Sequence, residues 1–453
     1  ICVGSLPELK TLLEASLTSD VLSAEEKSVN EAYLAKFGTE NLDMHRPYVD
    51  HIVLVSDNGQ KLFREPDLID VWFDSGAMPY AQWGLDHEKL ARGEKNPFNA
   101  RFDEAFPADF IAEGVDQTRG WFFTLHAIAT MTQGSVSFKN VVSNGLVLDK
   151  NGNKMSKRLG NGVDPFATIE KYSADATRWY MISNASPWDN LKFNEEGLDE
   201  VRRKFFGTLY NTYSFFSLYA NIDKFSYAEP EIALDQRPEI DRWVISLLNS
   251  LTQEVDGYYA DYEPTRAARA IQNFVDENLS NWYVRLCRRR FWKGEYTADK
   301  ISAYQTLYTC LDTIAKLMSP ISPFFADQLY LDLNAGSQKE KFESVHLADF
   351  PVFHAELVDK ALEERMALAQ DISSLTLSLR KKTGINVRQP LNKIFETKEE
   401  VLSVIEKTIL FYKEQGIKGE RLNDTIKRIG FEKVEEQLLN NDLLIRKQEI
   451  LGK

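Results

Sequence analysis

From Glu195 to Met318 the apolar residues recur about every 3.6 positions, and this stretch constrains the fold more than any other feature of the chain. Leu198, Val201, Phe205, Leu209, Thr212, Phe216 and Tyr219 lie on one helical stripe, and Val244, Leu247, Leu251, Val255 and Tyr258 on a second. Ala267, Ile271, Phe274, Asn278, Trp282 and Leu286 make a third. Tyr304, Leu307, Leu311, Ile314 and Met318 make a fourth, ended by Pro320 and Pro323. An amphipathic helix draws most of its stability from burying its apolar face. Four in succession predict an all-α helical bundle.

Upstream the period changes. Residues 66–194 alternate short β-like runs with helical ones, the pattern of an α/β sheet. Phe106–Ala112 and Val141–Leu148 read as strands, with Thr118–Met131 as a helix between them. Residues 1–65 are mixed and polar, with an extended run His51–Ser56 before the turn Asp57-Asn58-Gly59. From Glu396 the chain is rich in lysine and glutamate and reads as a helical extension with no identifiable chemistry. A chain of 453 residues exceeds one ordinary core, and these changes of pattern divide it into 1–65, 66–194, 195–395 and 396–453. The opening at Ile1, without Met or a basic leader, reads as an excised piece of a longer protein with no secretory signal.

A hydrophobic content of 43% and an aromatic content of 12% describe a globular protein with large cores. No apolar run approaches the roughly 18 residues of a membrane span, so no membrane partner is expected. Cys2, Cys287 and Cys310 are too few and too scattered for a zinc site or a disulfide framework, which points to a reduced, cytoplasmic compartment. The histidines lack metal-ligand spacing, and His126 reads as a plain helix residue. The net charge of −14 excludes a nonspecific polyanion binder, so any RNA contact must use local basic patches.

Four segments carry chemistry. Lys154-Met155-Ser156-Lys157-Arg158 lies among Gly145, Gly152, Gly160 and Gly162, a pliable loop presenting two lysines three residues apart. Such a loop suits a polyphosphate whose charge is neutralised during transfer. Val163-Asp164-Pro165 follows as the start of a capped helix over Phe166–Lys171. Second, Glu113-Gly114-Val115-Asp116-Gln117-Thr118-Arg119-Gly120-Trp121-Phe122 follows a candidate strand and opens a helix, the place where parallel α/β sheets bind ligands. Its acidic residues bind ribose hydroxyls or an ammonium group, or else favour the helix dipole. Third, Asp70-Val71-Trp72-Phe73-Asp74-Ser75-Gly76 places a Trp-Phe pair in either core or pocket. Fourth, in Asn281–Trp292 the residues Arg285, Arg288 and Arg289 share one helical face. With aromatic neighbours they can grip phosphates and stack bases, or pair with bundle carboxylates. Arg202-Arg203-Lys204 and Arg380-Lys381-Lys382 extend a basic track or are plain surface.

The lysine loop resembles the KMSKS signature of the class I aminoacyl-tRNA synthetases, departing only at Arg158, where the signature has serine. The second segment resembles the adenylate-binding stretch of the isoleucyl type. The third is similar to that type's D-x-W-F-D-S-G, whose Asp separates it from the valyl relative. Asn281–Trp292 resembles the anticodon-binding helical domain of eukaryotic-like isoleucyl enzymes, and Val387-Arg388-Gln389-Pro390-Leu391 a run near the end of that domain. Together these segments span about residues 41 to 391.

The resemblance implies the second half of a Rossmann-like catalytic domain followed by an all-α anticodon-binding domain. The implied substrates are ATP with Mg2+, L-isoleucine and tRNA(Ile), acting on a monomer without bound zinc. It assigns Lys154 and Lys157 to the pyrophosphate, and Glu113, Gly114, Asp116 and Gln117 to the adenylate. Trp72 and Trp121 border the amino-acid pocket, and Trp282, Arg285, Arg288 and Arg289 contact tRNA. The family's H-x-G-H signature is absent, and its editing domain precedes the region where this chain begins, so the chain alone is expected to be inactive. With half a sheet missing, a partly disordered N-terminal region is expected. A valyl or leucyl synthetase remains a rival, as does a non-catalytic tRNA-binding protein on the same scaffold.

Overall fold

The computed structural model describes all residues except 68, 85, 95–97, 99, 383, 389–397, 418 and 453. The chain folds as two compact units, Ile1–Gly145 and Leu146–Lys453.

The first unit opens on a small core of its own. Helices α1 (Leu6–Leu17) and α2 (Ala24–Leu34) and the hairpin β1 (Val53–Val55), β2 (Lys61–Phe63) enclose Leu9, Leu13, Tyr33 and Ile52. The N-terminal region is therefore folded, contrary to the expected disorder, and the two helices escaped the sequence reading. Their caps were visible: Ser5 accepts from the Glu8 amide, and Ser23 and Glu26 form a reciprocal capping box. With 12 and 11 residues, each is too short for an apolar stripe to stand out.

Short helices α3 (Val71–Gly76), α4 (Met78–Ala81), α5 (His87–Ala91) and α6 (Ala100–Ala105) lead into β3 (Ala108–Gly114). Helix α7 (Trp121–Gln133) then returns the chain to β4 (Phe138–Asn144), which lies parallel to β3 with Glu113 opposite Ser143. This is a strand–helix–strand unit of the expected kind, with its first strand two residues later than anticipated. The run Val141–Leu148 is not one strand. Gly145-Leu146 interrupts it, and Val147–Leu148 forms β5 in the second unit, paired with β6 (Leu191–Lys192).

In the second unit α8 (Pro165–Tyr172) and α9 (Ala174–Asn184) precede the bundle. The first rod is α10 (Glu195–Val201), a π-helical turn Arg202–Phe206 and α11 (Gly207–Asp223); α12 (Glu239–Ala260) is the second. The third joins α13 (Pro264–Asn273), a π-helical segment Phe274–Val284 and α14 (Arg285–Trp292), and α15 (Ala298–Met318) is the fourth. Each predicted stripe lies on one of these rods. Helices α16 (Pro323–Ser337) and α17 (Lys360–Lys382) complete the packing. One continuous core runs from Tyr172 to Leu362 and holds Trp179, Trp243, Tyr283, Tyr304 and Tyr330 with no side chain more than 1% exposed.

A buried carboxylate fastens three of the rods. Asp241 of α12 accepts from Tyr283 Oη at 2.9 Å, Arg290 Nη1 and Nη2 at 2.5 and 2.8 Å, and Ser302 Oγ at 2.5 Å. Beyond the bundle, α18 (Lys398–Gln415), α19 (Leu422–Ile429), α20 (Phe431–Leu439), α21 (Asp442–Ile445) and α22 (Lys447–Leu451) close a separate small core around Leu410, Phe411, Ile426 and Val434. This extension is helical, as its composition suggested.

Candidate functional site

In the first unit two of the sequence motifs assemble into one surface. Glu113 and Gly114 are the last residues of β3, Val115–Arg119 forms a 3-10 turn, and α7 begins at Trp121. Asp70 caps α3 by accepting from the Trp72 amide at 2.7 Å. Trp121 Nε1 then donates to the Ser75 carbonyl at 2.9 Å, fixing α3 against α7. The approach is close: a Cβ on Gly76 would stand 2.9 Å from Ile128 and Thr124 atoms, and one on Gly120 3.1 Å from the Trp72 ring. Segments more than forty positions apart thus share one edge because two glycines leave room for it.

The carboxylates of this edge do not serve α7. Gln117 Oε1 accepts from the Trp121 amide at 3.0 Å, while its Nε2 donates to Asp116 Oδ2 at 3.0 Å. Gln117 therefore both steadies the start of the helix and holds Asp116, and Glu113 and Asp116 stay exposed. The alternative in which they serve as helix caps is not what the structure shows. A Cβ on Gly114 would lie 2.6 Å from Asp116 Oδ1, so a larger residue there would displace the carboxylate from its place over the strand end. Trp72 is 45% exposed with its ring against Gly120, whereas Trp121 is half-buried and lines a cavity of about 60 Å3 with Met78, Trp83, Phe106 and Ile111. The sequence reading missed Ser143, opposite Glu113, whose hydroxyl is buried with no partner among the described residues. Only strand register reveals it.

In the second unit the lysine loop connects β5 to α8. Lys154 is exposed and bridges Leu148 through its backbone; Met155 and Val163 pack against the main core. Gly152 and Gly160 bracket the loop with φ of 86° and 63°, conformations that suit glycine. Lys157 opens a 3-10 turn; its side chain lies outside the described atoms. Asp164 caps α8 as expected, accepting from the Phe166 amide at 2.8 Å.

The arginine face is resolved residue by residue. Phe291 is core at 1% exposure, Trp282 is half-buried against the core, and Arg290 is consumed by Asp241 and Asp299. Arg285, Arg288 and Arg289 are exposed and meet no carboxylate among the described residues. Trp292, 46% exposed, extends their face by one turn. In the group at the start of the bundle, Arg202 and Arg203 pair with Asp199, and Lys204 with Glu200. Gln389, Pro390 and Leu391 lie outside the described residues.

One polar cavity was not anticipated. About 410 Å3 in volume, it lies between α9, α10 and the π segment of the third rod. On its wall, burial pushes the Asp276 carboxyl up to about 7; Glu277 adds to the rise and Lys204 opposes it.

Residues 13–194 match the tRNA synthetases class I (I, L, M and V), and residues 241–395 match the anticodon-binding domain of tRNA ligase. The isoleucine–tRNA ligase of Bacteroides thetaiotaomicron is 60% identical over 394 residues, 86% of this chain and 33% of that protein. That of Cytophaga hutchinsonii is 61% identical over 393 residues, 87% of this chain and 33% of its own length. Both are bacterial, although the arginine stretch resembled the eukaryotic-like type. The chain spans about a third of the length of these relatives. Among solved structures, a LeuRS–tRNA–LeuAMS ternary complex from Agrobacterium radiobacter aligns with a TM-score of 0.52 at 18% identity, covering 68% of this chain and 36% of that one. That likeness is one of fold.

Proposed function

Since the chain belongs to the class I tRNA synthetases, we propose that it is part of an isoleucine–tRNA ligase. Such an enzyme joins the isoleucine carboxylate to the α-phosphorus of ATP, releasing pyrophosphate. It then passes the acyl group to a ribose hydroxyl at the 3′ end of tRNA(Ile), releasing AMP. The observation that carries the reading is the shared edge of the first unit. There the Asp70–Gly76 and Glu113–Phe122 segments, separately suggestive, are locked together through Trp121 and Ser75.

On this reading Glu113, Asp116 and the Gly114 backbone hold the adenylate at the carboxyl end of β3, with Gln117 steadying Asp116. Trp72 and Trp121 border the amino-acid side chain. Lys154 and Lys157 neutralise the pyrophosphate as it leaves, and Mg2+ enters with ATP as part of the substrate. Catalysis of this kind is positioning and charge stabilisation, not covalent chemistry by the protein. Trp282, Arg285, Arg288 and Arg289 contact the tRNA. Residues 1–65 then return from an insertion, 66–194 complete the catalytic domain, 195–395 bind the anticodon region, and 396–453 form an extension. The enzyme works as a cytoplasmic monomer; no helix among the described residues is long and apolar enough to cross a membrane.

The test is ATP–pyrophosphate exchange by the full polypeptide that contains this segment. Exchange should depend on isoleucine; dependence on valine or leucine overturns the assignment. No exchange with any amino acid, alongside intact salt-dependent tRNA binding, makes the protein a non-catalytic RNA binder. The 453-residue chain alone should show no exchange, and activity there would refute its fragmentary reading.

A further inference from the structure

The lysine loop is held by two side chains outside its lysines. Asp149, directly after β5, accepts from the Asn151 amide at 2.9 Å, the Asn153 amide at 2.8 Å and Asn153 Nδ2 at 3.4 Å. Its other contact is distant in sequence: Asn161 Nδ2 donates to Asp149 Oδ2 at 3.0 Å. The same carboxamide reaches two more points of the loop. Its Oδ1 accepts from the Ser156 amide at 2.9 Å, and its Nδ2 also donates to the Lys154 carbonyl at 3.3 Å. One planar amide thus touches the entry of the loop and the backbone on both sides of Met155.

The chemistry of the pair is directional. The Asn161 amide first, then the Asn153 backbone amide, hold the Asp149 carboxyl below its ordinary range, so it stays ionised and acceptor-only at neutral pH. Asn161 must supply both a donor and an acceptor, which aspartate cannot do. Met155 is meanwhile pinned on the core, and Lys154 points to solvent. Nothing else in the loop joins its two ends by side chains among the described residues.

We propose that Asp149 and Asn161 form a clasp that presets the backbone carrying Lys154 and Lys157, making them positioning residues for the step that releases pyrophosphate. The inference rests on the reading of this loop as the pyrophosphate element. A loop already shaped for the leaving group does not have to be ordered during the reaction, so the gain falls on the chemical step and not on ground-state binding.

Two measurements test it. In the full polypeptide, Asn161→Asp should lower kcat for isoleucine-dependent exchange by about ten-fold or more, with KM for isoleucine within about two-fold. The exchanged pair Asp149→Asn/Asn161→Asp should recover part of that loss, because it restores one donor and one acceptor across the clasp. Unchanged kcat in Asn161→Asp, or no recovery in the double variant, overturns the proposal. In the present chain, Asn161→Ala should speed hydrogen exchange at the Ser156 amide by about ten-fold relative to wild type, while core amides of α15 stay protected. An unaltered Ser156 rate overturns the clasp itself. If wild-type enzyme shows no isoleucine-dependent exchange, it is the functional reading that fails, and the hydrogen-exchange arm still decides the clasp.

Discussion

The helical bundle and the β3–α7–β4 unit show two opposite ways of using apolar residues. In the bundle the rods close on one another, and Arg290, near the core, is consumed by Asp241 and Asp299. The strand–helix–strand unit is open. Its parallel sheet has two strands among the described residues, with Phe110 44% and Val141 45% exposed. Parallel sheets are ordinarily covered on both faces. The bundle is a closed object with Arg285, Arg288 and Arg289 exposed on its outer face, whereas the α/β unit keeps its motif residues on an edge supported from one side.

That contrast can be broken first at Asp241. Arg290→Met should cost about 3–5 kcal/mol in denaturant unfolding of the bundle, because it strands a carboxylate with no exposure. Asp241→Leu/Arg290→Met together should recover only part of the loss, because Tyr283 Oη and Ser302 Oγ then lose their buried acceptor. A double variant no better than the single would show that these hydroxyls matter as much as the counter-charge. Leu311→Ala, at a position with no exposure, should cost about 2–5 kcal/mol, and Phe110→Ala about 1 kcal/mol or less. Equal losses at the two sites would erase the distinction between closed and open regions.

Changes on the outer face should leave stability alone. Replacing Arg285, Arg288 and Arg289 singly by glutamine should each reduce the salt dependence of tRNA binding by about one unit of slope, with an unchanged unfolding midpoint. A constant slope would remove them from the RNA interface.

The smallest effect concerns Asp276. Its carboxyl titrates near 7 in the folded protein and near the ordinary carboxylate range unfolded, so the folded state binds the extra proton between those values. Stability therefore falls as pH rises from about 4 to 7 and stays reduced above. Asp276→Asn should flatten that slope and raise the melting midpoint at pH 8 by about 1–2 °C. An unchanged slope in the variant would show that Asp276 titrates alike in the folded and unfolded protein.

What the sequence made legible follows from the range of the forces involved. The four stripes are local periodicities, and each became a rod because burial along it needs no distant partner to be named. The Asp164 cap was equally readable, since donor and acceptor lie two residues apart. Gln117 was assigned to the adenylate on resemblance alone, and its bond to the Trp121 amide emerged only with the exact turn between strand and helix. The edge joining Trp121 to Ser75, the burial of Ser143 and the bond from Asn161 to Asp149 all depend on tertiary approach. No periodicity announces them. The boundary at Gly145 was misread because the apolar pairs Val141-Val142 and Val147-Leu148 flank Ser143-Asn144-Gly145 closely enough to read as one strand.

The widened segment Phe274–Val284 sets which way the arginines after it face. A residue added to or removed from an α-helix turns everything beyond it by about 100°, and a π-helical stretch absorbs residues without ending the rod. Deleting one position there would leave the helix intact and swing Arg285, Arg288 and Arg289 toward a neighbouring rod while turning Arg290 away from Asp241. In this protein the direction of the basic face is a matter of counting, and its tolerance to insertion is narrower than its surface position suggests.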